Sequence, residues 1–266
     1  MMRFIPNRDS QPLAVYCFGD MNHPALIFSN SLGTDHRMWK SQIDYFAKNY
    51  FVICYDTRGH GNSVVSTALE LNDLAHDVLD ILDALEIKKA HFCGISMGGI
   101  TGLKLAKIAP ERLFTVTIAN SAAKIGQTDG WLSRAENVEK QGLDELVTTT
   151  HLRWFSPAFD YRHDPVAQTA IQSLSVTSPQ GYAASCRALA TADLRHDLHS
   201  IQVPCLAVCG AFDPITTVQD GEFLETHIPQ CELEIIKASH LSNIEAPQTF
   251  NLILSDFICK HDLQKS

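Results

Sequence analysis

No run in the 266-residue chain approaches the ~18 consecutive apolar residues of a membrane-spanning helix, so no such helix is expected. The opening residues, Met1-Met2-Arg3-Phe4-Ile5-Pro6-Asn7-Arg8-Asp9, lack the apolar core of a secretory leader and soon meet Pro6 and Arg8. A cytoplasmic protein is therefore expected. Basic residues are in the minority: 21 Lys and Arg against 30 Asp and Glu leave a formal net charge of −9. Nucleic acid and anionic membrane surfaces both demand a basic footprint, so neither is expected as a partner. A small anion needs only one local cation and stays admissible. Internal repeats, low-complexity tracts, flexible linkers, a Gly-rich nucleotide loop and the close Cys or His pairs of a zinc site are all missing. Neither a metal nor a cofactor is expected. Most of the eight cysteines lie inside apolar runs such as Val52-Ile53-Cys54-Tyr55 and Cys205-Leu206-Ala207-Val208-Cys209, where a free thiol packs as a small hydrophobe in a reducing compartment.

What the chain does contain is 45% apolar residues, enough at this length for one large core. Residues 13–19 and 25–30 read as strands on either side of Asp20-Met21-Asn22-His23-Pro24 turn chemistry. Strands over Phe51–Asp56, Ala90–Ile95 and Leu113–Ala119 then alternate with helices over Leu71–Leu85 and Met97–Ala109. The strands are short continuous runs of Val, Ile, Phe and Cys rather than clean alternations. That pattern belongs to strands buried on both faces of a parallel sheet in an α/β fold. The alternation stops between about Ala122 and Arg195, where helical patterns cover Trp131–Gly142, Leu143–Phe155, Pro165–Thr177 and Pro179–Ala192. It resumes with Cys205–Cys209, Thr217–His227, Leu233–Lys237 and Pro247–Lys260. The expected organisation is one α/β core, residues 1–121 and 196–266, with a helical insertion at residues 122–195.

Gly94-Ile95-Ser96-Met97-Gly98-Gly99 follows an expected strand and opens an expected helix. In that context Gly-x-Ser-x-Gly is a tight turn that holds the serine strained, with its hydroxyl projecting from the sheet edge. A serine hydroxyl is a weak nucleophile near neutral pH and needs a base oriented by a third group. The chain order for such a turn is Ser, Asp, His. Asp213 ends a strand in Val208-Cys209-Gly210-Ala211-Phe212-Asp213-Pro214, and His240 follows Leu233–Ser239 before the last helix. Ser96, Asp213 and His240 are the expected catalytic set, with Asp220, inside the following helix, as a second acid. The oxyanion of an acyl-transfer intermediate needs two backbone N–H groups. Those of Met97 and of Leu32, in Asn30-Ser31-Leu32-Gly33-Thr34-Asp35, are the candidates. His60, in Asp56-Thr57-Arg58-Gly59-His60-Gly61-Asn62-Ser63, reads as part of a structural loop bracing the site.

These residues resemble the α/β-hydrolase fold over nearly the whole chain. Ser29–Asp35, Ala119–Gly126, Arg153-Trp154-Phe155, Ser178–Tyr182, Ala190–Arg195 and Ser239–Glu245 are, more narrowly, similar to 3-oxoadipate enol-lactonases of the β-ketoadipate pathway of aromatic catabolism. Many members of the wider fold carry His-Gly where this chain has Asn30-Ser31. The resemblance implies a mostly parallel sheet flanked by helices, with the insertion as a helical cap after the sixth strand. It implies a serine hydrolase that opens a small anionic lactone through an acyl-enzyme, without a cofactor. The lactone's carboxylate then calls for a cation in the cap, with Arg134 first among Arg134, Arg153 and Arg187, and with Trp131 and Trp154 as walls. Carboxylesterases, carbon–carbon bond hydrolases and perhydrolases share the triad, and a non-catalytic binding module shares the frame.

Overall fold

The computed structural model describes residues 2–262; Met1 and residues 263–266, which the expected core segments include, lie outside the described residues. Among the described residues the strands are β1 (Met2–Pro6), β2 (Pro12–Phe18), β3 (Ala25–Ser29), β4 (Phe51–Tyr55), β5 (Ala90–Ile95), β6 (Leu113–Ala119), β7 (Cys205–Gly210) and β8 (Cys231–Ile236). The helices are α1 (Lys40–Phe46), α2 (Leu71–Ala84), α3 (Met97–Ile108), α4 (Thr128–Gln141), α5 (Asp144–Thr149), α6 (His151–Trp154), α7 (Pro165–Val176), α8 (Pro179–Thr191), α9 (Val218–His227), α10 (Ser242–Glu245) and α11 (Pro247–Asp262).

One sheet runs in the order β1-β2-β4-β3-β5-β6-β7-β8. β2 is antiparallel to both neighbours, and every pairing from β4 across to β8 is parallel. The continuous apolar runs explain this placement, since β3, β5 and β7 are buried at every residue, as strands covered on both faces must be. Helix α2 supplies such cover, burying Leu71, Leu74, Ala75, Val78, Ile81 and Leu82 at helical spacing. Its first turn is fixed by a reciprocal cap between Glu70 and Asp73. On the β3 side, Trp39 stacks on Phe28 with ring centroids 4.6 Å apart. Strand β1 went unread in the sequence because it is an edge strand burying only Ile5. Pro6 at its end costs no interior ladder bond there.

Parallel strands place all their carboxyl ends on one edge of the sheet, where ligands of open α/β sheets bind. The turns after β3, β5, β6, β7 and β8 all open there. Between β6 and β7 the described elements are helices α4–α8 and a short 3-10 turn over Leu198–Ser200, with no strand among the described residues. Helix α4 packs along α8, and α7 rests on the turn over His36–Trp39. The backbones of Gly181 in α8 and Gly59 in the loop after β4 touch; a Cβ on Gly181 would lie 2.4 Å from the Gly59 Cα. Among the described residues, no helix is long and apolar enough to cross a membrane.

Candidate active site

Ser96 sits at the turn from β5 into α3 with φ 56° and ψ −113°, a strained conformation for a residue with a Cβ. The glycines flanking it make the turn possible. A Cβ on Gly94 would lie 2.1 Å from the Gly98 carbonyl oxygen, and one on Gly98 2.2 Å from that of Ser29. The Ser96 N–H donates to the Ala119 carbonyl at 3.0 Å, and its carbonyl accepts from the Ser121 hydroxyl at 2.7 Å. The end of β6 and the residues just beyond it thus hold the nucleophile turn by both its N–H and its carbonyl. Met97 opens α3, so the positive end of the helix faces the serine.

Asp213 lies in the loop after β7, buried. Its Oδ1 accepts from the backbone N–H groups of Ile215 and Thr216 at 2.8 and 3.2 Å. Its Oδ2 accepts from the Thr216 hydroxyl at 2.8 Å, the Asn120 amide at 3.0 Å and His240 Nδ1 at 2.7 Å. Burial works to raise the Asp213 pKa, but His240, the Ile215 N–H and the Asn120 amide outweigh it and hold the carboxyl below the ordinary carboxylate range. His240 itself is 2% exposed. Asp220 is elsewhere: its carboxylate accepts from the Thr217 N–H at 2.7 Å and caps α9.

Ser96 and His240 open into one cavity of about 350 Å³. The loops after β3 and β7 contribute Ser31, Leu32 and Ile215 to its wall, and the helical stretch contributes Trp131, Arg134, Arg153, Trp154 and Tyr182. The Arg134 guanidinium lies over the Trp131 ring, 4.9 Å from its centroid. Burial and the neighbouring Arg134 charge lower the Arg153 pKa, and the other ionisable groups acting on it are Tyr182 and Cys186, neither a carboxylate. Burial pushes the Tyr182 phenol up to about 12. Two like-charged guanidinia in one recess are an unfavourable arrangement until an anion joins them.

Arg187 is a correction. Although it lies in α8, its guanidinium points away from the cavity and forms a bidentate pair with Glu139 of α4 at 2.8 and 2.7 Å. Those two helices run side by side, and the pair spans their exposed seam. His60 is buried, its Nε2 accepting from the Gly33 N–H at 3.0 Å and its Nδ1 donating to the Arg58 carbonyl at 3.1 Å. Burial lowers its pKa, so the neutral ring braces the loop carrying Leu32. Asp35, His36 and Asp56 bring ligand atoms within 4.8 Å of one another. Those atoms are engaged already: Asp35 by Arg37 and Ser173, Asp56 by Tyr16, His36 and Asn62.

Asn120 went unread as a site residue. It follows β6 at φ 43°, wholly buried, and its amide donates to both Asp213 and the Ser239 carbonyl. The signal for it was positional: polar Asn120-Ser121 end a buried strand lying between those that carry the serine and the acid.

A serine, an acid and a histidine on the loops after β5, β7 and β8, at one sheet edge, form a hydrolase-like arrangement, and the chain belongs to the alpha/beta hydrolase fold family, whose model matches residues 24–247. Within that family it is 55% identical over 254 residues to 3-oxoadipate enol-lactonase 1 of Acinetobacter baylyi, with 96% of each chain covered. It is 50% identical to 3-oxoadipate enol-lactonase 2 of the same organism, covering 88% of each. Among solved structures, the enol-lactonase from Burkholderia xenovorans LB400 superposes with a TM-score of 0.93 at 35% identity, over 97% of this chain and 100% of the other.

Proposed function

We propose that the chain hydrolyses 3-oxoadipate enol-lactone to 3-oxoadipate in the β-ketoadipate route of aromatic degradation, by a Ser96–His240–Asp213 triad. The observation that carries this reading is the single cavity in which Ser96 and His240 face Arg134 and Arg153. A nucleophile and base that share one cavity with two cations match an ester that bears a carboxylate. The 55% identity to an enol-lactonase supports the same substrate. Residues 122–195 act as a cap, with Trp131 and Trp154 walling the lactone ring and Arg134 holding its carboxylate.

With Asp213 on Nδ1, His240 keeps Nε2 for the serine. Nε2 takes the Ser96 proton as Oγ bonds to the lactone carbonyl carbon. The oxyanion rests on the N–H groups of Met97 and Leu32. Collapse breaks the ring ester bond, expelling an enolate oxygen that takes the proton from His240, and the enol then becomes the ketone. Water, deprotonated by His240, attacks the acyl-enzyme and releases Ser96 and a second carboxylate. An enolate leaves more readily than an alkoxide, so the chemistry draws on the triad and the oxyanion donors alone. Free cysteines, most of them buried, fit a reducing cytoplasm.

The test is an ultraviolet assay of lactone loss, run beside p-nitrophenyl acetate. Ser96→Ala should lower turnover at least ~10³-fold, because a triad acts as a unit. Retention of more than a few per cent overturns the serine mechanism. A kcat/KM favouring p-nitrophenyl acetate would move the assignment to a carboxylesterase.

A further inference from the structure

The loop carrying His240 is tied on both sides to the segment that lines the cavity from above. The Leu241 N–H, directly after the histidine, donates to the carbonyl of Trp154 at 3.0 Å. The Ser239 N–H, directly before it, donates to Oε2 of Glu245 at 2.9 Å. That same oxygen accepts the Ser156 N–H at 3.1 Å, and Oε1 accepts the Ser156 hydroxyl. One carboxylate, at the end of the four-residue helix α10, thus joins Ser156, in the connection from α6 to α7, to Ser239 at the sheet edge. The rest of Ser239 is also held, its carbonyl by the Asn120 amide at 3.1 Å and its hydroxyl by the Phe212 carbonyl at 3.2 Å. Arg153 and Trp154, which line the cavity, immediately precede the clamped segment.

We infer that Glu245 is a positioning residue: it fixes the His240 loop and the Arg153–Ser156 segment relative to each other, so that base and ligand-binding wall move as one body. This rests on the triad part of the proposed function and not on the identity of the lactone. Three donors from two segments converge on the two oxygens of one side chain, so its loss releases both segments at once. Proton transfer tolerates little misplacement, so a displaced imidazole slows chemistry more than it weakens binding. Glutamine at this position can keep both N–H contacts through its carbonyl oxygen while its amide donates to the Ser156 hydroxyl, which rotates to accept. The role therefore lies in hydrogen-bond geometry, and charge is secondary.

The experiment compares Glu245→Ala, Glu245→Gln and Ser156→Ala in three readouts: the rate of Ser96 labelling by a fluorophosphonate, kcat and KM for p-nitrophenyl acetate, and Tm. Labelling and the simple ester report the serine and its base whatever the natural substrate, so absence of lactone turnover would sink the lactonase assignment alone. Glu245→Ala should slow labelling and lower kcat 10- to 100-fold together, with KM changed less than about threefold. Glu245→Gln should restore both to within about threefold of the parent. Ser156→Ala should slow labelling two- to fivefold. If Glu245→Ala folds and labels within twofold of the parent, the inference is overturned. If it does not fold, Ser156→Ala labelling at the parent rate overturns it, as does a Gln variant that folds but loses more than tenfold.

Discussion

Asn120 offers a sharp test of how the acid loop is held. Its amide lies 3.0 Å from Asp213 Oδ2 and 3.1 Å from the Ser239 carbonyl, and its Oδ1 accepts from the Ser242 hydroxyl at 2.5 Å. Asn120→Asp preserves the shape and replaces the donor with a second carboxylate against the first. At the 3.0 Å spacing of the native bond, two unit charges repel by about 5 kcal/mol at an effective dielectric near 20. The folded pair escapes that repulsion by retaining a proton, whereas in the unfolded chain both carboxyls ionise near pH 4. The folded pKa is therefore raised above the unfolded one, and the variant's stability is fullest at low pH and lost as pH rises. Relative to the parent, the deficit should be smallest near pH 4 and grow by about 1.4 kcal/mol per pH unit. It should level off at about 5 kcal/mol, once both groups ionise in the fold. Asparagine carries no proton to titrate, so the difference between the two proteins isolates the pair. Urea denaturation of both at pH 5, 6, 7 and 8 measures it. A difference constant to within about 0.5 kcal/mol across that range would refute the contact between Asn120 and Asp213 as the cause.

Arg134→Ala should raise KM for the enol-lactone roughly 10- to 100-fold, the worth of a hydrogen bond to a charged group, and change kcat less. With p-nitrophenyl acetate, which has no carboxylate, steady-state kinetics should find KM within twofold; an unchanged lactone KM removes Arg134 from that role. Gly181→Ala should lower Tm by about 3–10 °C, a cost of about 1–3 kcal/mol. The clash is with the Gly59 backbone, which has no side chain to swing aside, and calorimetry showing an unshifted Tm would mean that α8 and the loop separate freely.

Much of the architecture was readable because the determinants are local. The runs at Ala90–Ile95 and Leu113–Ala119 became strands with those bounds, since a short β-branched and aromatic run between turn residues has little alternative in a buried layer. Ser96, Asp213 and His240 stood out as candidates because each follows a strand in a fixed chain order. The edge strand Met2–Pro6 was not, because its exposed, mixed pattern carries no periodicity. Sequence placed Arg134 ahead of Arg153 and Arg187 but could not tell which of them enter the cavity, because that depends on the face each helix turns inward. The Arg187–Glu139 pair spans two helices 48 residues apart in the chain.

By itself, then, the sequence determined the strand and helix alternation, the strained serine turn and the order of the catalytic candidates, all consequences of residue type and short-range spacing. Only the tertiary structure decided what surrounds them: that Asn120 reaches Asp213, that Glu245 joins Ser156 to Ser239, and that two arginines share one recess. The sequence separations there are 93 residues for Asn120 and Asp213 and 89 for Ser156 and Glu245. Contacts of that span are set by how layers pack, and no local pattern along the chain encodes them.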